Sequence, residues 1–98
     1  NMNKSHVFFL IKKNTKLKNL KDFFKSNYDN NCIIQFETDF EHNRIFLNEI
    51  QNNYSKHKKT IVLISKNLTL DNFNNITPTM QEALDIIEIE EIERSLNI

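Results

Sequence analysis

Five consecutive apolar residues, Val7 to Ile11, sit inside the segment His6-Val-Phe-Phe-Leu-Ile-Lys12. The run is too short for a helix of its own and rich in strand formers, so it predicts a strand buried on both faces. Between Lys16 and Tyr28 the apolar residues are Leu17, Leu20, Phe23, Phe24 and Tyr28, interleaved with lysines at helical spacing. That pattern predicts an amphipathic helix. Asp29-Asn30-Asn31 supplies turn formers, and Cys32-Ile-Ile-Gln-Phe36 reads as a second short strand. From Glu41 to Lys58 the helical pattern returns, with Phe46, Leu47, Ile50 and Tyr54 on one face and Arg44, Asn48, Gln51, Asn52 and Ser55 largely on the other. Thr60-Ile-Val-Leu-Ile-Ser65 is almost continuously apolar, as buried parallel strands are, and Ile76 offers a short fourth strand.

The end of the chain is the most sharply specified. Pro78 suits the first turn of a helix, and Thr79-Met-Gln-Glu82 reads as a capping box, predicting an acidic helix over residues 79–95. This helix has two apolar stripes. Met80, Ala83, Leu84 and Ile87 gather on one side, Ile89, Ile92 and Leu96 fall towards the opposite side, and Ile86 lies between. The first stripe can pack on a sheet. The second must fold back on the domain, meet a second copy, or bind another protein.

Strands alternating with helices predict a single α/β domain over residues 1–98, with two or three layers, a mainly parallel sheet of three or four strands, and three helices. Asn1 ahead of Met2 reads as a cloning remnant. No apolar run approaches the roughly 20 residues that span a bilayer, so no membrane partner is expected. A lone cysteine and the lack of an export signal point to the cytoplasm.

The chain has no glycine. Walker loops, dinucleotide-binding turns and kinase phosphate loops need glycine for close backbone approach or positive φ, which excludes enzymes built on them. Asparagine is abundant and lysine outnumbers arginine, a bias of base composition, so asparagine clusters carry no functional weight at this level.

Net charge is zero, yet the charges are segregated. Up to Asn31 seven lysines face Asp22 and Asp29, about +5. From Leu68 onward Asp71, Glu82, Asp85, Glu88, Glu90, Glu91 and Glu93 face only Arg94, about −6. Lys13, Lys16, Lys18, Lys21 and Lys25 are thus candidate phosphate contacts for RNA, although the neutral isoelectric point and shortage of arginine weaken that footprint.

Catalytic chemistry finds little support. His6, His42 and His57 stand apart, without the spacing that would bring two imidazoles onto one metal, so no metal site is expected. Cys32 lies in mid-strand, and a thiol there reads as a small buried hydrophobe rather than as half of a Cys-His pair. Glu88 with Glu91, and Glu90 with Glu93, read as a solvated acidic surface rather than an acid/base pair. Glu37-Thr38-Asp39 is better placed, because ligands on open α/β sheets gather at the C-terminal ends of strands, but with no nucleophile or metal beside it this is a contact site. The reading is a non-enzymatic protein with no cofactor.

The order of elements, and above all Thr77-Pro-Thr-Met-Gln-Glu-Ala-Leu-Asp-Ile-Ile-Glu-Ile-Glu-Glu-Ile-Glu-Arg94, resembles the tail of short bacterial STAS-like proteins, relatives of the anti-sigma factor antagonists. Some of that group carry the name of ribonuclease Z, the enzyme encoded beside them. Its activity needs a zinc-holding His-x-His-x-Asp-His cluster, and this chain has neither the histidines nor the length. The resemblance implies a regulatory domain that binds another protein. In antagonists of the classical type a phosphorylatable serine begins the helix after a central strand. The matching stretch here, Glu37-Thr-Asp-Phe-Glu-His-Asn43, has no serine. Thr38 is its one hydroxyl, and Asp39 or Glu41 would mimic a constitutively negative state. The expected partner surface therefore comprises Glu37, Thr38, Asp39, Glu41 and Arg44, together with Ile89, Ile92 and Leu96, with self-association as a further use of the last three. The alternative is an RNA-binding accessory to tRNA maturation that uses the lysine-rich first helix.

Overall fold

A computed structural model describes residues 6–37 and 44–96. Its elements are β1 (His6–Ile11), α1 (Leu17–Ser26), β2 (Asn31–Phe36), α2 (Arg44–Tyr54), β3 (Ile61–Ile64), β4 (Ile76–Thr77) and α3 (Met80–Leu96). The four strands form one sheet in the order β1-β2-β3-β4, every neighbouring pair parallel. Val7 lies beside Cys32, Cys32 beside Ile61, and Leu63 beside Ile76.

Alternation along the strands splits the core in two. On one face Ile11, Cys32, Ile34, Phe36, Ile61 and Leu63 pack under α1 and α2, which contribute Leu20, Phe24, Phe46 and Ile50. On the other face Ile33, Val62 and Ile64 meet Ala83 and Ile87 of α3. The domain is thus a three-layer α/β sandwich in which two helices cover one side and a single helix covers the other. β2 and β3 are clad on both faces, which is why their sequences are nearly continuous in apolar residues.

That asymmetry corrects the reading of β1 as buried on both faces. Among the described residues α3 packs over β3 and β4 and leaves the same face of edge strand β1 bare, so Phe8 remains 44% exposed while Phe9, one residue on, packs into the core and against Phe23. Tyr28, counted on the apolar face of the first helix, lies beyond its end and is exposed. The second helix stops at Tyr54, short of Lys58. Tyr54 stacks on Phe73 at 4.1 Å, which ties the segment before β4 to the core.

The helix after Pro78 begins at Met80, so Pro78 precedes the cap rather than occupying the first turn. The threonine half of the capping box forms, Thr79 Oγ1 accepting from the Glu82 amide at 3.1 Å. Ala83 N–H donates to Thr79 O, the first bond of the helical ladder.

Candidate interaction surface

α3 runs antiparallel to the strands, from the C-terminal end of β4 back to the strand starts, where its last turns meet Asn31 and Thr60. In its first half the positions facing the sheet are apolar, Ala83 and Ile87. In its second half, at the same helical spacing, they are Glu90, Glu91 and Arg94. These three would be out of place against hydrocarbon. They meet instead a set of polar residues at the beginnings of β2, β3 and β4: Asn31, Thr60 and Asn75, all buried.

The bonding is dense. Asn31 Oδ1 accepts from the buried Thr60 amide at 3.0 Å and from Arg94 Nη2 at 3.2 Å, while its Nδ2 donates to Glu91 Oε2 at 2.8 Å. Thr60 Oγ1 donates to Glu90 Oε1 at 2.8 Å and accepts from Arg94 Nη1 at 3.0 Å. Asn75 Nδ2 reaches both Ile61 O and Glu90 Oε2. Lys59 and Arg94 flank Glu91 at 3.5 and 3.1 Å. The Asn31 hydrogen bond, with further help from Arg94 and Lys59, holds the Glu91 carboxyl below the usual carboxylate range against an opposing contribution from burial. Glu90 and Glu91 are therefore not part of a solvated acidic surface, as the sequence suggested. They anchor the helix end, and the chemistry of the site is structural.

Anchoring α3 through this clamp fixes what lies on its back. Ile89 is 54% exposed, Ile92 52% and Leu96 77%. Among the described residues none folds over them, and α3 continues unbroken to Leu96, so the stripe does not bend back onto its own domain. Exposed Glu82, Asp85, Glu88 and Glu93 border it. The result is a rigid apolar ridge with acidic flanks.

The other predicted residues fall elsewhere. Glu37 is exposed just beyond β2, and Arg44 is exposed at the start of α2. Both belong to the end of the sheet opposite the terminus of α3, so the two halves of the expected partner surface are not contiguous. Thr38, Asp39 and Glu41 lie outside the described residues. Of the lysines, Lys18 is paired with Asp22 on the same helix and Lys21 with Glu49 of α2, both at 2.8 Å. Lys13, Lys16 and Lys25 are exposed at opposite ends of α1, with Lys16 at its N-cap and Lys25 in its last turn.

Cys32 and His57, far apart in sequence, come together with Sγ 3.7 Å from Nε2. The same Nε2 lies 2.8 Å from the Asn30 carbonyl oxygen, which can only accept, so this nitrogen carries the proton and is not a base for the thiol. Burial pushes the Cys32 thiol up to about 12. With Phe24 and Tyr28 edge-on to the imidazole, the pair is a packing element.

Comparison with family models, with curated proteins and with solved structures finds no match. The surface therefore has to be read from its own chemistry. Among the described residues no cluster of histidine, cysteine and carboxylate side chains could hold a metal, and no helix is long and apolar enough to cross a membrane.

Sequence reasoning missed Asn31 and Asn75 because asparagine is abundant everywhere in the chain. One signal was available. Glu90, Glu91 and Arg94 occupy the continuation of the sheet-facing stripe, where an apolar residue is the norm and a charge demands a buried partner.

Proposed function

We propose that this domain works by binding another protein through the outer face of α3, as a regulatory domain resembling the STAS-like group without a serine phospho-switch. The observation that carries the reading is the ridge of Ile89, Ile92 and Leu96, exposed on a helix whose opposite face is locked to the sheet. A pre-anchored helix loses little conformational freedom on docking, so its apolar side chains contribute more fully to affinity. The acidic border selects a partner that presents an apolar groove rimmed by lysine or arginine. Two copies of the ridge would oppose glutamate with glutamate, which favours a different protein over self-pairing at this face.

The test is a photo-crosslinking side chain at Ile92 in the full chain, used in native extract, beside the same chain carrying Ile89→Asp. A single crosslinked protein, bound stoichiometrically when purified, weakened by salt and lost with Ile89→Asp, supports the reading. Crosslinks spread thinly over many proteins and unaffected by Ile89→Asp argue against it. Salt-sensitive binding of tRNA that is lost with Lys13, Lys16 and Lys25 changed to glutamine would move the function to α1 instead.

A further inference from the structure

In a parallel strand the N–H and C=O of one residue point to the same side, and the side alternates along the chain. Ile11 O accepts from Glu37 N at 2.9 Å, so Ile11, Phe9 and Val7 turn their amides towards β2. His6, Phe8 and Leu10 turn theirs outward, to an edge beyond which the described residues hold no further strand. The Phe8 side chain stands on the face that α3 leaves bare. At the opposite edge β4 is only two residues long and runs straight into Pro78, so it offers no comparable template.

We propose that β1 pairs antiparallel with β1 of a second copy about a two-fold axis at Phe8, joining the two sheets into one. In that register Phe8 lies opposite Phe8 of the copy and Leu10 opposite its His6. All of these residues point their amides outward, so each pair exchanges N–H···O bonds. The two Phe8 rings meet on the bare face, as an aromatic cross-strand pair.

Charge favours a second copy as the occupant. Exposed edges are usually blunted by lysine, glutamate or proline, and β1, His6-Val-Phe-Phe-Leu-Ile11, has none of these to oppose to itself. The helices above agree. The reach of Lys21 to Glu49 shows which flank of α1 faces α2. Roughly opposite on the helix lie Asn19 and Ser26, with Lys16 at the N-cap, so the flank of α1 away from α2 carries one lysine where its outer face carries Lys18 and Lys25. Because the described residues leave one long open edge in each copy, the pairing is isologous and stops at a dimer.

The test is the mass of the full chain in solution by sedimentation, with amide hydrogen exchange followed over protein concentration. Twice the 11.7 kDa chain mass is expected, with Phe8 and Leu10 amides protected in concentrated solution and released on dilution. Phe8→Lys should give a monomer with an unchanged far-UV spectrum, and Ile92→Lys should leave the dimer intact. A monomer at every concentration, with those two amides unprotected throughout, overturns the pairing. So does a dimer that survives Phe8→Lys and dissolves with Ile92→Lys, which would place self-association on α3.

Discussion

Asn31 is the residue on which the clamp at the end of α3 converges, and its removal gives the sharpest test of that arrangement. In Asn31→Ala the buried Thr60 amide loses its acceptor, at a cost of about 1–3 kcal/mol. Glu91 and Arg94 lose a partner too. Their side chains are 30% and 34% exposed, so water takes over much of the bonding and this adds only about 0.5–1 kcal/mol. A total near 3 kcal/mol is a large share of the roughly 5–15 kcal/mol expected for a domain of this size. With a urea slope of about 1–3 kcal/mol per molar, the midpoint should fall by roughly 1–3 M.

Asn31→Asp separates the hydrogen-bonding argument from simple loss of volume. It keeps the acceptor for Thr60 and Arg94 but sets a carboxylate where the amide donated to Glu91 Oε2 at 2.8 Å. Two carboxylates that close share a proton, which raises the upper apparent pKa of the pair above the unfolded value. The folded variant then binds more protons than the unfolded chain, so its stability falls as pH rises through that window and recovers on acidification. The unmodified protein has the opposite sign at this site: Glu91 is held below the usual range, so its contribution is present above the ordinary carboxylate pKa and is lost as pH falls through the depressed one. Urea unfolding followed by circular dichroism at pH 7 and pH 5 reads the window of the variant, and a further measurement below the ordinary carboxylate pKa reads that of the unmodified protein. An unchanged midpoint for Asn31→Ala, or an Asn31→Asp curve that tracks the unmodified protein at both pH values, would refute the reasoning.

Three further outcomes are expected. Ile87→Ala, at a fully buried position between Ile33, Val62 and Ile64, should cost about 2–5 kcal/mol in denaturant unfolding, whereas Ile89→Ala on the outer ridge should stay within about 0.5 kcal/mol of the unmodified protein. Thr79→Ala should cost about 1 kcal/mol by removing the acceptor for the Glu82 amide, with Thr79→Ser recovering most of it in the same assay. Cys32 should resist a thiol reagent in the native state at pH 8 and react fully in urea, and because burial raises its folded pKa to about 12, stability should decline as pH climbs from the unfolded thiol value towards that figure.

Periodicity alone was enough to read the strands and helices of this chain, because each covers its core with side chains at its own repeat: Leu20 and Phe24 for α1, Phe46 and Ile50 for α2, and the unbroken apolar runs of β2 and β3. The Thr79 cap was equally legible, since capping is a bond between near neighbours. The two stripes on the last helix were also visible, although not which partner each would find. Tertiary structure decided the rest. Whether Phe8 is covered depends on where α3 lands across the sheet, and nothing within β1 records that. The meeting of Asn31, Thr60 and Asn75 with Glu90, Glu91 and Arg94 likewise needs three strand starts and the end of a helix to be brought to one place. A buried polar group states in the sequence only that it needs a partner; the fold chooses which one, because the cost of leaving it unpaired is met by whatever the topology sets beside it.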